Sequence, residues 1–466
     1  MKRGIMLTVQ RSRLFYLAGT IGVFIGILAG ELIWIADPIR LPGGAEWIDL
    51  INPLYYGICL IPLLWLIGAV CSAAAASGLR NRIIGIVSAV LSGGSLIGFF
   101  ALQRHLLIAV SLLVCAWLWT LVDLFAMEIS ARASAGSGRR RWPLRSTATL
   151  LIILALLVLF GWPTSYRVTY PGLTMPMNRY AHVEGGSSGG SINGVLVFER
   201  PAFPADWLYK AVFPDYELDQ VGPDEPPLAE QYTEVLEMKN DANSVAGAIA
   251  MQRAGVGKGI TVQGVKVAAI VAGSPADKLL RAGDVIRQLD GHGIDDLNAM
   301  TAYMKQVKAG TEVNVTLNRE GKTLTVKVPT KSSEDGDNRA VFGISVQNDL
   351  VMDIPLGVSY RHYIAHIGGP SHGAMLTLAI LDQLTPGGVT HGINVAGTGT
   401  IEADGSVGPV GGVRQKAYTV SRTNADVFFV PADEADEAYQ GAPDLNIVPV
   451  KTLDDILNWL AAHKKA

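Results

Sequence analysis

Five apolar stretches fill the first third of the chain and limit what it can fold into. They cover 14–36, 54–76, 83–102, 106–127 and 147–162. A helix needs about 20 residues to cross the hydrocarbon core of a bilayer. Backbone in that core must satisfy its own hydrogen bonds, which favours helices. The fifth stretch is short, with Tyr166 available to extend it. The first is too long for the core of a signal peptide and lacks a small-residue cleavage site. A membrane region of about five transmembrane helices is expected over 1–162.

Charge sets the expected orientation. Lys2, Arg3, Arg11 and Arg13 precede the first stretch, and Arg80 and Arg82 separate the second and third. Arg132, Arg139, Arg140, Arg141 and Arg145 separate the fourth and fifth, while the alternate loops hold only Arg40 and Arg104. With five spans every basic loop falls on one side. Positive charge stays inside, so the N-terminus is expected in the cytoplasm and everything after Trp162 beyond the bacterial plasma membrane. Losing one span would reverse this. Glu31 and Asp123 lie in or beside spans. Each either sits at an interface or helix contact, or marks a functional site.

The remainder is different in kind. Residues 1–162 carry 13 Lys and Arg against 6 Asp and Glu, and the following residues carry 25 against 35. An acidic globule is a poor nucleic-acid partner, because phosphate neutralisation dominates that affinity. Cys59, Cys71 and Cys115 all lie in the apolar third, leaving no disulfide framework beyond it. Residues 163–254, with short β-like runs and then a helical pattern, read as an ectodomain collar.

Residues 255–331 carry a sharper pattern. An alternating strand, Val265–Ile270, precedes the turn Gly273-Ser274-Pro275-Ala276. Ala282-Gly283-Asp284-Val285-Ile286 and the tight turn Leu289-Asp290-Gly291 follow. An amphipathic helix over 296–307 leads to two strands joined at Glu320-Gly321, a hairpin signal. This order resembles a bacterial protease-associated PDZ domain. The resemblance implies capture of extended peptide ends by strand addition beside a helix, with Gly257, Gly259 and Ile260 as candidate peptide-binding residues. A polar linker follows over 331–338.

Residues 368–373 read Gly-Gly-Pro-Ser-His-Gly and open a helical pattern over 374–384. Ser371 therefore stands at a helix N-terminus. It is either a plain N-cap or a nucleophile beside unpaired N–H groups and the positive end of a helix dipole. Gly411-Gly412 introduces a second helix over 412–422, bearing Lys416. Taken alone, Lys416 reads as a solvated lysine.

Together the two motifs resemble the proteolytic domain of Lon-type serine–lysine proteases. There the nucleophile lies in Asp-Gly-Pro-Ser-Ala-Gly and the lysine closes Ile-Gly-Gly-x-Lys-x-Lys. Val395–Ile401 matches the intervening strand, and the resemblance covers roughly 340–460. It implies Ser371 as nucleophile and Lys416, made neutral by burial, as general base. The backbone N–H groups of Ser371 and His372 are the oxyanion-hole candidates, and Thr398 or Thr400 the candidates to orient the lysine. Gly368 replaces the family's Asp and His372 its usual Ala. The His372 side chain is expected on the surface or a pocket wall, outside any triad. No phosphate-loop motif and no His-Glu-x-x-His motif occurs in the sequence, so neither cofactor nor metal is expected.

The expected class is multi-domain: an N-terminal α-helical membrane bundle (1–162), the collar (163–254), an α+β PDZ-like domain (255–331) and an α/β Lon-type proteolytic domain (339–466). The whole resembles membrane-anchored PDZ–Lon-like proteases. That implies an ATP-independent serine endopeptidase acting on unfolded or extended proteins, and, since Lon-type domains form rings, a homo-oligomer. Two rival readings are a catalytically silent protease fold used for binding, and a membrane sensor or transporter regulated by its soluble modules.

Overall fold

The computed structural model describes residues 2–37, 47–102, 105–134, 142–187, 189–222, 225–226, 228–333, 339–363 and 369–465. Arg40, Arg104, Arg139, Arg140, Arg141, Gly368 and most of the polar linker lie outside the described residues. Helices α1 (Lys2–Glu31), α2 (Ile51–Gly57), α3 (Leu60–Ala75), α4 (Leu79–Ala101), α5 (Leu106–Ser134) and α6 (Leu144–Gly161) form the apolar bundle. Among the described residues five segments are long and apolar enough to cross a membrane, with α2 and α3 sharing one of them. Asp123 is buried in this bundle. It accepts hydrogen bonds from the Tyr16 hydroxyl of α1 (2.5 Å) and the Ser72 hydroxyl of α3 (2.9 Å). A buried polar group is tolerable when so partnered, so Asp123 acts as a joint between helices. Glu31, at the end of α1, forms an ion pair with Arg200 outside the bundle.

Beyond the bundle the chain forms β1 (Tyr166–Pro176), α7 (Met177–Tyr180), β2 (Ala181–Val183), β3 (Ser191–Pro201), α8 (Asp206–Val212), β4 (Glu217–Gln220) and α9 (Leu228–Arg253). It then makes a long excursion through β5 (Gly259–Ile270), β6 (Val285–Leu289), β7 (His292–Gly293), α10 (Leu297–Met304), β8 (Glu312–Arg319), β9 (Lys322–Pro329), the short pair β10 (Lys331–Ser332) and β11 (Ala340–Val341), and β12 (Ile344–Asp353). It returns as β13 (Val358–Tyr360), α11 (Gly373–Leu384), β14 (Asn394–Gly397), α12 (Val413–Ser421), β15 (Val427–Pro431), α13 (Ala435–Gly441), β16 (Ile447–Val450) and α14 (Leu453–Ala462).

The main sheet has the order β16-β15-β14-β3-β1-β4. Its first four strands run parallel, and β1 pairs antiparallel with both β3 and β4. Period-two alternation gives each strand two buried faces. Val395, Val427 and Phe429 face α9, α11 and α14, while Ala396, Phe428 and Val430 face α12 and α13. Helix α11 is buried on all sides from Gly373 to Gln383. It is the central rod of the unit.

Two expected boundaries move. Residues 163–254 are not a separate collar: β3 is hydrogen-bonded to β14, with Ser191 opposite Asn394 and Gly194 opposite Gly397. The parallel strands of the last third need β3 and β1 to continue their sheet, so the peptidase unit is built from both sides of the PDZ-like excursion. That excursion also runs past 331, because β12 pairs along the whole of β5, from Ile344–Ile270 to Asp353–Gly259. Its sheet has the order β12-β5-β6-β8-β9 around its own core of Val265, Val267, Ile286, Val315, Leu317 and Phe342. The Asp284–Arg319 ion pair (2.6 Å) ties its strands together.

The segment after α1 joins the main-sheet unit as well. Trp34 is buried among Tyr216, Phe213 and Tyr418, and its indole N–H donates to the Tyr216 hydroxyl (3.1 Å). Asp37 accepts from the Thr174 backbone N–H (3.0 Å). Asp49 pairs with Arg179 and Arg361, and Ile48 enters the main core.

Candidate active site

Ser371 lies in a single 3-10 turn, Pro370–His372, that feeds straight into α11. Proline suits the first position because its φ is preset and no N–H is wanted there. A Cβ at Gly373 would stand 2.9 Å from the Ile401 backbone nitrogen. Glycine thus lets the turn press against the segment after β14. Two bonds sew that segment to the serine: the Gly399 N–H and the Thr398 hydroxyl both donate to the Ser371 carbonyl (2.9 and 3.1 Å).

Lys416 enters from the opposite face of the sheet. It sits on the first turn of α12, whose N-cap Gly412 has φ +66°. A Cβ there would be strained and would meet Val197 at 2.9 Å. The lysine is 1% exposed and its amine donates to the Thr398 hydroxyl at 3.1 Å. Burial pushes its pKa down to about 8, partly offset by Glu434 and Glu437. Thr398 is therefore a shared node, taking a hydrogen bond from Lys416 and giving one to the Ser371 backbone. Of the two threonines expected to orient the lysine, only Thr398 touches it; the Thr400 hydroxyl faces Glu402 (3.4 Å). A regular extended run would put 398 and 400 on the same side; Gly399 between them, with φ +143°, breaks that alternation.

Of the two settings expected for His372, surface or pocket wall, the structure excludes the surface. His372 is 2% exposed, with Nε2 at 3.1 Å from the Asn243 side-chain oxygen on α9. Burial, then the charge of Lys239, pushes its pKa down to about 4. It is neutral at pH 7 and tied to α9. The cause is α11, which is surrounded by protein from its first residue.

The candidate peptide-binding residues are not brought to a free edge. Gly259 and Ile260 pair with Asp353 and Met352 of β12, and the Lys258 N–H donates to the Asp353 carboxylate (2.7 Å), next to Gly257. The terminal strand of that sheet is β12 itself. Its start, from Phe342 through Ile344 to Val346, packs with Leu297, Met304 and Val307 on and beside α10. The Leu297 N–H donates to the Asn348 side chain (2.8 Å). In the sequence this strand is obscured by the polar linker that precedes it.

The segment just after α1 also touches the lysine helix. Tyr418 and Arg422 lie two and six residues beyond Lys416. Tyr418 packs edge-on against Trp34, and Arg422 donates to the Trp34 and Ile35 carbonyls (3.3 and 2.5 Å). No local pattern announces it, because its partners are almost 400 residues apart in the chain.

Comparison with known proteins agrees with these two units. Residues 352–462 match the model of the Lon protease (S16) C-terminal proteolytic domain, and residues 236–330 that of the PDZ domain. This chain carries a Lon-type serine-peptidase domain. The Lon protease of Campylobacter concisus is 29% identical over 153 residues, covering 31% of this chain and 18% of that protein. The Lon protease of Malacoplasma penetrans is 34% identical over 139 residues, covering 28% and 16%. A serine protease Do-like HtrA of Lactobacillus helveticus is 39% identical over 56 residues, covering 12% and 14%. The chain thus spans less than a fifth of the length of these curated relatives. The PDZ domain of an SdrC-like protein of Listeria monocytogenes is 24% identical, covering 18% of this chain and 90% of that one, with a TM-score of 0.18. The Lon-type match begins at 352, whereas the sheet it belongs to begins at β1.

Proposed function

We propose that the chain is an ATP-independent serine endopeptidase, its Lon-type domain held on the outer face of a bacterial plasma membrane, with Ser371 as nucleophile and Lys416 as general base. The buried, hydrogen-bonded amine of Lys416 carries this reading, since no surface lysine needs such a setting. A neutral amine keeps two N–H donors and one lone pair. With one donor committed to Thr398, the lone pair is left for the Ser371 hydroxyl proton. Oγ then attacks the scissile carbonyl, and the Ser371 and His372 backbone N–H groups at the start of α11 receive the oxyanion. Lys416 returns the proton to the departing amine. Water, activated by the same lysine, releases the acyl group.

The odd number of span-length apolar segments among the described residues, five, supports the membrane placement. So do the contacts of Glu31 and Leu159, at the ends of α1 and α6, with the peptidase unit. Those ends lie opposite the basic N-terminus and the Arg80–Arg82 loop. Extended substrate ends would add to the free edge of β12 beside α10. Without an ATP-driven unfoldase motif, substrates would be proteins already unfolded. A homo-oligomer follows from the family resemblance.

Cleavage of an unfolded protein by full-length chain in lipid nanodiscs tests the proposal. Ser371→Ala and Lys416→Ala should each abolish turnover while substrate binding persists. Turnover retained in both would remove the dyad, and no turnover in the unaltered chain would favour the silent-fold reading.

A further inference from the structure

Among the described residues, helix α8 turns an apolar face outward. Trp207, Leu208, Ala211 and Val212 lie at i, i+1, i+4 and i+5 on one side of it, and all four are exposed. Trp207, Leu208 and Val212 are 43%, 62% and 70% accessible, unusual for three large apolar side chains in seven residues. The opposite side is anchored: Tyr209 and Phe213 pack into the cluster around Trp34. Asp206 is fully buried against Arg200 (2.8 Å) and the Phe203 N–H (2.7 Å). The face is therefore held rigidly outward.

Two contacts fix its height. The Ala205 N–H, just before α8, donates to the Leu159 carbonyl near the end of α6 (2.9 Å). Arg200, which holds Asp206, also pairs with Glu31 at the end of α1. Helix α8 is thus pinned where two apolar helices end. Trp162, 65% exposed, and Tyr166, edge-on to Trp207 at 5.4 Å, complete an aromatic group at that level. Trp and Tyr concentrate at the membrane–water boundary, and short amphipathic helices lie flat there. Lys210, exposed on the flank, has a stem long enough to reach headgroups.

We propose that α8 is an interfacial helix, its Trp207–Leu208–Ala211–Val212 face seated in the outer leaflet of the bilayer that the five spans cross. This rests on the membrane reading of those spans. The helix gives the peptidase unit a third attachment besides α1 and α6, which fixes its height and tilt over the lipid.

A photo-cross-linking amino acid placed singly at Leu208, Val212, Leu151 and Leu324 tests it, in full-length chain in phosphatidylcholine–phosphatidylglycerol nanodiscs with mass-spectrometric readout. Leu151 lies exposed on α6 and Leu324 on β9 of the PDZ domain. Lipid adducts are expected at 208 and 212 as at 151, and lost at 324. Adducts at 151 with none at 208 or 212 would overturn the inference and leave the spans standing. Adducts of 208 to a second copy would make the face a protein interface instead. No adduct at 151 would overturn the membrane reading and this inference together.

Discussion

The PDZ domain and the peptidase unit are built in opposite ways. The PDZ domain uses one unbroken run, 259–353, with a core drawn wholly from it. The peptidase unit uses pieces from the loop after α1, from 166–253 and from 358–462, with Ser371 on one side of the sheet and Lys416 on the other. A recognition module that closes on itself can be inserted without disturbing its host. A unit made of distant pieces depends on every one of them, including a loop between two long apolar helices.

The largest expected effect separates the two units by activity. Lys416→Met should lower cleavage by about 10³-fold or more, as loss of a base from a catalytic pair does. Ile344→Arg, on the free PDZ edge, should leave cleavage of a short peptide unchanged and weaken only long unfolded substrates. Equal losses on both substrates from Ile344→Arg would mean that the PDZ domain shapes the site.

Next comes Trp34→Ala. Removing a buried indole costs about 3–5 kcal/mol, and the loss should fall on the peptidase unit alone. Amide exchange should quicken in α12 and β1 and stay constant in β5–β9. Quickened exchange throughout would show that the two units unfold as one.

Burial of Lys416 itself costs stability. Its folded pKa of about 8 lies below the ordinary 10.5, so the unfolded chain binds more protons between those values. Stability therefore rises with pH across that window, and the full penalty, about 3 kcal/mol, applies below pH 8. Lys416→Met should accordingly stabilise the peptidase unit at pH 7, by an amount that vanishes towards pH 10.5. A constant gain at all pH values would contradict the shifted pKa. The smallest effect should come from the PDZ side. Asp296 caps α10 through the Ala299 N–H (2.7 Å). Asp296→Ala should cost about 1 kcal/mol, confined to the PDZ melting transition.

The same contrast explains what the sequence disclosed. The PDZ strands and the helix over 296–307 were legible because turns, alternation and caps are local signals. The helix starts that carry Ser371 and Lys416 were legible because each follows its own short glycine-bearing motif. Thr398 could not be told from Thr400 without knowing which way the segment turned. The burial of His372 was not legible because the helix that covers the start of α11 is α9, more than a hundred residues earlier. The collar reading failed because a strand's sheet partners are not written beside it: β3 looks self-sufficient until Asn394–Gly397 is laid along it.

The central claim is that a neutral Lys416 activates Ser371. Labelling of Ser371 by a serine-reactive probe, followed across pH 6–10 in unaltered chain and in Lys416→Met, tests it most directly. Labelling should rise with pH, with a midpoint near the lysine's pKa of about 8, and should be lost in Lys416→Met. Labelling that ignores pH over that range, or that persists without the lysine, would contradict the account.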